Sequence, residues 1–456
     1  MSTTDSAPAS SAPSASSAPA GLEGCCPEGA RLAADADLTR RGLLKGLGAV
    51  GLTTMFGSAA VTAVGPPAYA APAGAARPVA AAANGNVVVV LSLSGGADML
   101  SLVVPHGDPG YYAARPTIAV PRDSLWGRDS FFGLHPALKP LRPWWNAKQL
   151  AVVTGTGQPA PNRSHFAALE ELEDADPGDA VRTGWLNRSL GVLPGDDPQQ
   201  GVHVGSGMLP TSMAGPTPTL AVPELDATAL NGPSGSHRRD RAAALRRMWG
   251  ATDGPLGASA RKALAVAADL KPVVGSRYVP QNGARYPATD LGDALKDAAR
   301  LIRSGSGVRA VTVDHGSWDM HAQLGPVDDT RPRSMRTMAT GLADALSAFL
   351  TDLGPLVGSR VTVVTVSEFG RRVAENGSRG LDHGWGSAMM LIGAGVRGGR
   401  YVGRWPGLGA AALREGDLAV TTDYRSVLAE LVTRRLGVSS AAAFPGFQPE
   451  SVGVVT

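Results

Sequence analysis

The residues able to do chemistry fall in five short clusters. They are Ser94-Gly95-Gly96-Ala97-Asp98, Asn162-Arg163-Ser164-His165, Asp314-His315-Gly316-Ser317-Trp318-Asp319-Met320-His321, Ser367-Glu368-Phe369-Gly370-Arg371 and Leu381-Asp382-His383-Gly384. Carboxylate oxygen and imidazole nitrogen together bind divalent metals such as Zn²⁺, Mn²⁺ or Mg²⁺. The same side chains also cap helices and satisfy loop backbones. Asp98, directly after two glycines, fits a turn or cap as well as a ligand. Asp319 and His321 are two ligand types one residue apart, close enough to chelate, and Asp382-His383 offers a second such pair. Ser164 opens a helix, where a serine serves as N-cap. In that place it also faces the positive end of the helix dipole, with Arg163 beside it to hold an anion. A metal alongside would make its hydroxyl a nucleophile. Trp318 sits within these clusters and Trp385 directly after the last, as packing residues or as platforms for a substrate.

The elements between the clusters say how they must be placed. Val87–Leu91 is a continuous β-branched run, as in a strand buried on both faces. Residues 150–154, 308–313, 360–366 and 389–392 are further expected strands. Residues 164–174, 239–249, 259–270, 291–303, 333–353 and 423–436 are expected helices. Strands alternating with helices predict an α/β fold with a mainly parallel sheet. In such a sheet ligands bind beyond the carboxyl ends of the strands. Three of the clusters directly follow strands, so Asp98, Asp319, His321, Glu368 and His383 are expected to meet on one rim. Residues 202–237, rich in Gly, Pro, Ser and Thr, are expected to form a loop-rich insertion or lid-like loop with up to two short strands.

The start of the chain is a different kind of sequence. Residues 1–34 are rich in Ser, Ala and Pro, a composition of disorder. Arg40-Arg41 then precedes the uncharged stretch Gly46–Val64, and Ala68-Tyr69-Ala70 follows. This is the layout of a twin-arginine export signal cleaved after residue 70, which implies the export machinery as a partner and a secreted or extracytoplasmic location. Both cysteines, Cys25 and Cys26, lie in the leader, so the mature chain would hold no disulfide and no thiolate site. Residues 71–86 are an Ala-rich lead-in, and one domain spans 87–456. The net charge of +3 is too small to argue for nucleic acid. The Gly95-Gly96 turn lacks a dinucleotide pattern, and neither a P-loop nor a Gly-x-Ser-x-Gly elbow occurs.

Taken in order, Leu93–Asp98, Arg163–Phe166, Gly316–His321, Ser367–Arg371, Asn376-Gly377 and Asp382–Gly384 resemble the domain-of-unknown-function family 1501 from about Val87 to the C-terminus. That family is similar to the alkaline phosphatase and sulfatase superfamily. The resemblance implies an alkaline-phosphatase-like three-layer sandwich, with a mainly parallel central sheet and helices on both faces. It also implies a one- or two-metal site (Zn, Mn, Mg or Ca) at the strand ends. Carried over by motif, Asp98 would be the early ligand and Ser164 the nucleophile, flanked by Arg163 and His165. The later ligands would come from Asp314, Asp319, His321, Glu368, Asp382 and His383. Two departures stand out. Glu368-Phe369 occupies the place where the superfamily has an Asp-His pair, and the sulfatase nucleophile motif is missing. The function implied is an exported, metal-dependent hydrolase of small anionic phosphate or sulfate esters. The competing expectation is a binding protein of the same fold that has lost its chemistry.

Overall fold

The computed structural model describes residues 52–56, 59–63, 85–176, 182–228 and 236–456. The central sheet contains strands β1 (Val87–Ser92), β2 (Leu150–Gly157), β3 (Gly201–Val204), β4 (Thr219–Val222), β5 (Ala310–Asp314), β6 (Val361–Val366), β7 (Ser387–Gly393) and β8 (Arg400–Val402). Their spatial order is β4-β3-β5-β1-β6-β7-β2-β8. Within this set β7 alone runs against the others, pairing antiparallel with both β6 and β2. The α/β expectation therefore holds, with one reversed strand inside the sheet.

Alternation along the strands builds two cores. Val87, Val89 and Leu91 of β1 face one side, and Val88 and Val90 face the other, all buried. The main helices are α1 (His165–Asp174), α2 (Trp185–Gly191), α3 (Ser236–Gly250), α4 (Gly254–Asp269), α5 (Asp290–Ser304), α6 (Met335–Leu353) and α7 (Tyr424–Leu431). Helices α5 and α6 cover the first side with Leu291, Leu295, Leu342 and Phe349. Helices α2 and α7 cover the second with Trp185, Leu190, Val427 and Leu428. Full burial of each such side chain contributes about 1.5–3 kcal/mol. Helix α5 begins where Thr289 accepts from the Gly292 N–H and ends at Gly305, whose φ is +69°.

The two short strands of the loop-rich segment belong to the central sheet itself. β3 pairs parallel with β5 and with β4. Each of these strands is four residues long and set among Gly, Pro and Thr, too short for a clear period. Residues 229–235 of that segment lie outside the described residues. Leu52–Phe56 and Ala59–Ala63, within the apolar part of the expected leader, are short strands, and the second pairs with β4. The rest of the leader, both cysteines and nearly all of the lead-in lie outside the described residues. No helix among the described residues is long and apolar enough to cross a membrane.

Candidate metal centre

The site is assembled from loops at the carboxyl ends of β1, β5 and β6 together with the start of α1. The loop after β5 is fastened to the loop after β1: His315 N–H donates to Ser92 O (2.8 Å) and Trp318 N–H to Ser94 O (3.3 Å). Gly95, with φ +108°, makes this approach possible. A Cβ there would stand 2.7 Å from the Asp319 nitrogen and 2.9 Å from the Trp318 nitrogen. On the other side, Asn162 Oδ1 accepts the Ser164 N–H (3.1 Å) and turns the chain into α1, which brings His165 to the rim.

Asp319 Oδ1 is the focus. It lies 2.6 Å from Arg371 Nη2, 2.9 Å from His321 Nε2, 3.3 Å from His383 Nε2 and 3.5 Å from His165 Nε2. The Nε2 atoms of His321 and His383 are 2.9 Å apart. Ligand atoms of His165, Asp319 and His383 all fall within 4.8 Å of one another. Each ring is held from behind. His165 Nδ1 is 2.8 Å from Glu368 Oε1, His383 Nδ1 is 2.7 Å from Arg163 O, and His321 Nδ1 is 3.3 Å from Asp382 Oδ1. An oxygen behind each imidazole is the usual support of metal-ligating histidines, because it fixes the tautomer and leaves the other nitrogen's lone pair facing the ion. Two observations fit a cation here. His165 Nε2 is buried without a hydrogen-bond partner. The facing nitrogens of His321 and His383 can share only one proton between them. Asp319 and His321 side chains are each 31% exposed, so the centre opens to solvent.

In the metal-free centre the carboxylates draw a proton onto the His165 imidazole. Burial works against a charge on His165, but the Asp319 and Glu368 carboxylates outweigh it and push the imidazole up to about 9. Burial likewise opposes the Asp319 charge, yet His165, His383 and Arg371 hold its carboxyl far below the usual range. Glu368 also stays below its usual value despite burial, through His165 and backbone N–H groups that include that of Gly95. Both carboxylates are therefore ionised at neutral pH.

The sequence-derived residues divide into three groups. Asp319, His321, His383 and His165 converge, which sets His165, expected as a catalytic residue, among the groups that could hold an ion. Glu368 and Asp382 support rings: both Glu368 oxygens are used, by Gly95 N–H and His165 on one side and Ser367 Oγ on the other. Asp98 and Asp314 are not among the converging groups. The Asp98 carboxylate is saturated by a buried bidentate pair with Arg115 (2.5 and 2.9 Å) and by the Ser101 N–H. Asp314, half exposed, stands 4.0 Å from His203 Nε2. The Arg163 guanidinium is engaged by Asp417 (2.5 Å) and Glu415 (3.3 Å), and what it gives the centre is its carbonyl. Ser164 is the N-cap residue of α1 by position, but its side chain makes no cap hydrogen bond.

Phe369, the odd residue of the motif, has a role. Its ring lies 4.8 Å from both the His165 and His383 rings, which themselves meet edge-on at 4.3 Å, and packs against the pair. Arg371 and Asn376 are functional residues that the sequence reading did not single out, although both lie in its motifs. Asn376 Nδ2 donates to Asp382 Oδ1 (2.9 Å) and to His321 O (2.9 Å), which fixes the His321 support.

The sequence matches the family model described as "Protein of unknown function (DUF1501)" over residues 145–431. No curated protein matches it. Among solved structures it is similar to the zinc complex of the C-terminal periplasmic domain of EcEptC from Escherichia coli, with 10% identity, 82% of this chain and 91% of that chain covered, and a TM-score of 0.33. It is similar to the lipoteichoic acid synthase LtaP from Listeria monocytogenes, with 10% identity, 75% of each chain covered and a TM-score of 0.28. The PsFucS1 sulfatase from Pseudoalteromonas sp. shows 13% identity, with 83% of this chain and 73% of that chain covered and a TM-score of 0.33.

Proposed function

The chain belongs to the DUF1501 family, and on that premise we propose that it is a metal-dependent hydrolase of phosphate or sulfate esters, working outside the cytoplasm after twin-arginine export. The observation that carries this reading is the meeting of three imidazole nitrogens with one carboxylate, each imidazole held from behind by an oxygen. His165, Asp319, His321 and His383 would hold the ion. Three nitrogens and an oxygen suit Zn²⁺ or Mn²⁺ better than Mg²⁺ or Ca²⁺, which take oxygen donors. When bound, such an ion supplies Lewis acidity toward an ester oxygen and toward an attacking hydroxyl or water.

The chain's own residues supply position and proton control. Glu368 accepts from His165 Nδ1 and so turns Nε2 toward the centre, where an ion would take the place of the Nε2 proton. Ser164, adjacent to a ligand and at the positive end of the ten-residue helix α1, has a hydroxyl that no cap bond engages. It is the chain's candidate nucleophile, with water as the alternative. A binding protein without turnover is the competing reading. The pairing of Arg163 with Asp417 and Glu415 favours it, because it takes from Ser164 the cation that would hold an anionic group.

Metal analysis of the purified protein, coupled to a screen of aryl phosphates, phosphodiesters and sulfates, tests the proposal. One ion per chain and an ester turnover lost in Asp319→Ala support the hydrolase. One ion with no turnover of any ester supports the binding protein. A chain that takes up no divalent ion overturns the hydrolase and leaves the binding protein.

A further inference from the structure

We propose that Arg371 is the positioning residue of this centre: its buried guanidinium sets the Asp319 carboxylate in place before any ion arrives. The inference rests on the metal reading above but concerns how the ligand loops are held. The Arg371 side chain is 1% exposed. Its Nε donates to Gly96 O (2.6 Å), its Nη1 to Leu381 O (2.9 Å), and its Nη2 to Gly95 O and to Asp319 Oδ1 (2.6 Å). One planar group thus joins three segments far apart in sequence: the loop after β1, the ligand loop after β5, and the approach to His383. Those carbonyls have their partner in this one side chain, so the loops cannot separate without leaving buried acceptors unpaired.

The backbone of Arg371 is locked by the same neighbours. It bridges antiparallel to His383. A Cβ on Gly384 would stand 2.5 Å from the Arg371 carbonyl carbon, so the His383 loop lies directly on the arginine's own backbone. Lys could keep the charge but not the fork, since a single ammonium cannot place donors in the guanidinium plane toward Gly95, Gly96, Leu381 and Asp319 at once. A preformed ligand set is the expected result.

The test uses the full chain, stripped of metal by a chelator and titrated with Co²⁺. Arg371→Lys is expected to bind Co²⁺ at least tenfold more weakly than the unaltered chain, with its circular dichroism intact and a changed Co²⁺ absorption spectrum. Hydrogen exchange of residues 316–322 in the metal-free variant should rise at least tenfold, while the sheet strands stay protected. If the variant melts lower yet binds Co²⁺ within twofold and with the same spectrum, Arg371 is merely structural and the proposal is overturned. Should the variant not fold, the unaltered chain decides: residues 316–322 must be equally protected with and without Co²⁺. Protection that appears only on adding Co²⁺ overturns the proposal. If the unaltered chain takes up no Co²⁺, the metal reading fails by itself, and the exchange of residues 316–322 still decides whether Arg371 holds that loop.

Discussion

Replacing Asp98 by Ala separates two roles that a sequence motif cannot. Both Asp98 oxygens face the Arg115 guanidinium, and both side chains are essentially sealed from solvent. The aspartate also accepts the Ser101 N–H at the start of a short helix, Met99–Leu102. Arg115 has further partners in Ser101 Oγ, Val373 O and Arg372 O, so it cannot swing out to water when the carboxylate goes. A buried charge would be left without its counter-ion. Breaking a buried pair in this way costs about 3–5 kcal/mol, a large part of the 5–15 kcal/mol that holds a typical protein folded. Asp98→Ala should therefore lower the urea midpoint sharply and leave metal stoichiometry in the folded fraction unchanged. Pairing it with Arg115→Met should recover part of the loss, because removing both charges removes the unpaired one. Urea unfolding followed by circular dichroism, with elemental analysis of the same samples, reads both quantities. Loss of the ion with stability within about 1 kcal/mol of the unaltered chain would show that Asp98 is a ligand and that the reasoning here is wrong.

Other expectations follow from individual contacts. Ser164→Ala should change stability by less than about 0.5 kcal/mol, since its hydroxyl makes no cap bond, and should abolish any ester turnover without loss of the ion. A turnover that survives at near-normal rate assigns the attack to water. Glu368→Gln should weaken the ion's binding by roughly 10- to 100-fold, read by chelator competition, because it removes the charged support of His165. In metal-free protein, His165 is raised from 6.5 to about 9. Its stabilising pairing is fully present below pH 6.5 and is lost as pH climbs toward 9, by at most about 3 kcal/mol. Urea midpoints of chelator-treated protein at pH 6.5 and 9 should fall accordingly, and the fall should vanish in His165→Ala. A rise over that window would contradict the pairing.

Much of this arrangement is written in the order of residue types. The β-branched run of β1 and the Val-Thr alternation of β6 mark strands buried on both faces, and once they are parallel the residues after them must share a rim. That logic carries Asp319, His321, Glu368 and His383 to one place. It is weaker for β3 and β4, four-residue strands with no period of their own, which join the sheet through the pairing of β3 with β5 and of β4 with β3. It fails for Arg371, because a buried arginine is defined by the carbonyls around it, and those come from Gly95, Gly96 and Leu381.

Asp98, Asp319 and Glu368 show where motif reading stops. All three are acidic residues in loops that follow parallel strands, and all three are embedded in donors. Their roles differ because of the donor each one meets. A guanidinium takes both oxygens of Asp98, which then has nothing left to offer a metal. Glu368 meets an imidazole Nδ1, the Gly95 N–H and the Ser367 hydroxyl, so it orients a ring of the centre from behind. Asp319 meets three imidazole nitrogens and one arginine on a single oxygen, the only one of the three set among groups that could share an ion with it. Ligand, support and structural counter-ion are thus properties of the third dimension: the sequence places a carboxylate at the rim, and its neighbours decide which of the three it becomes.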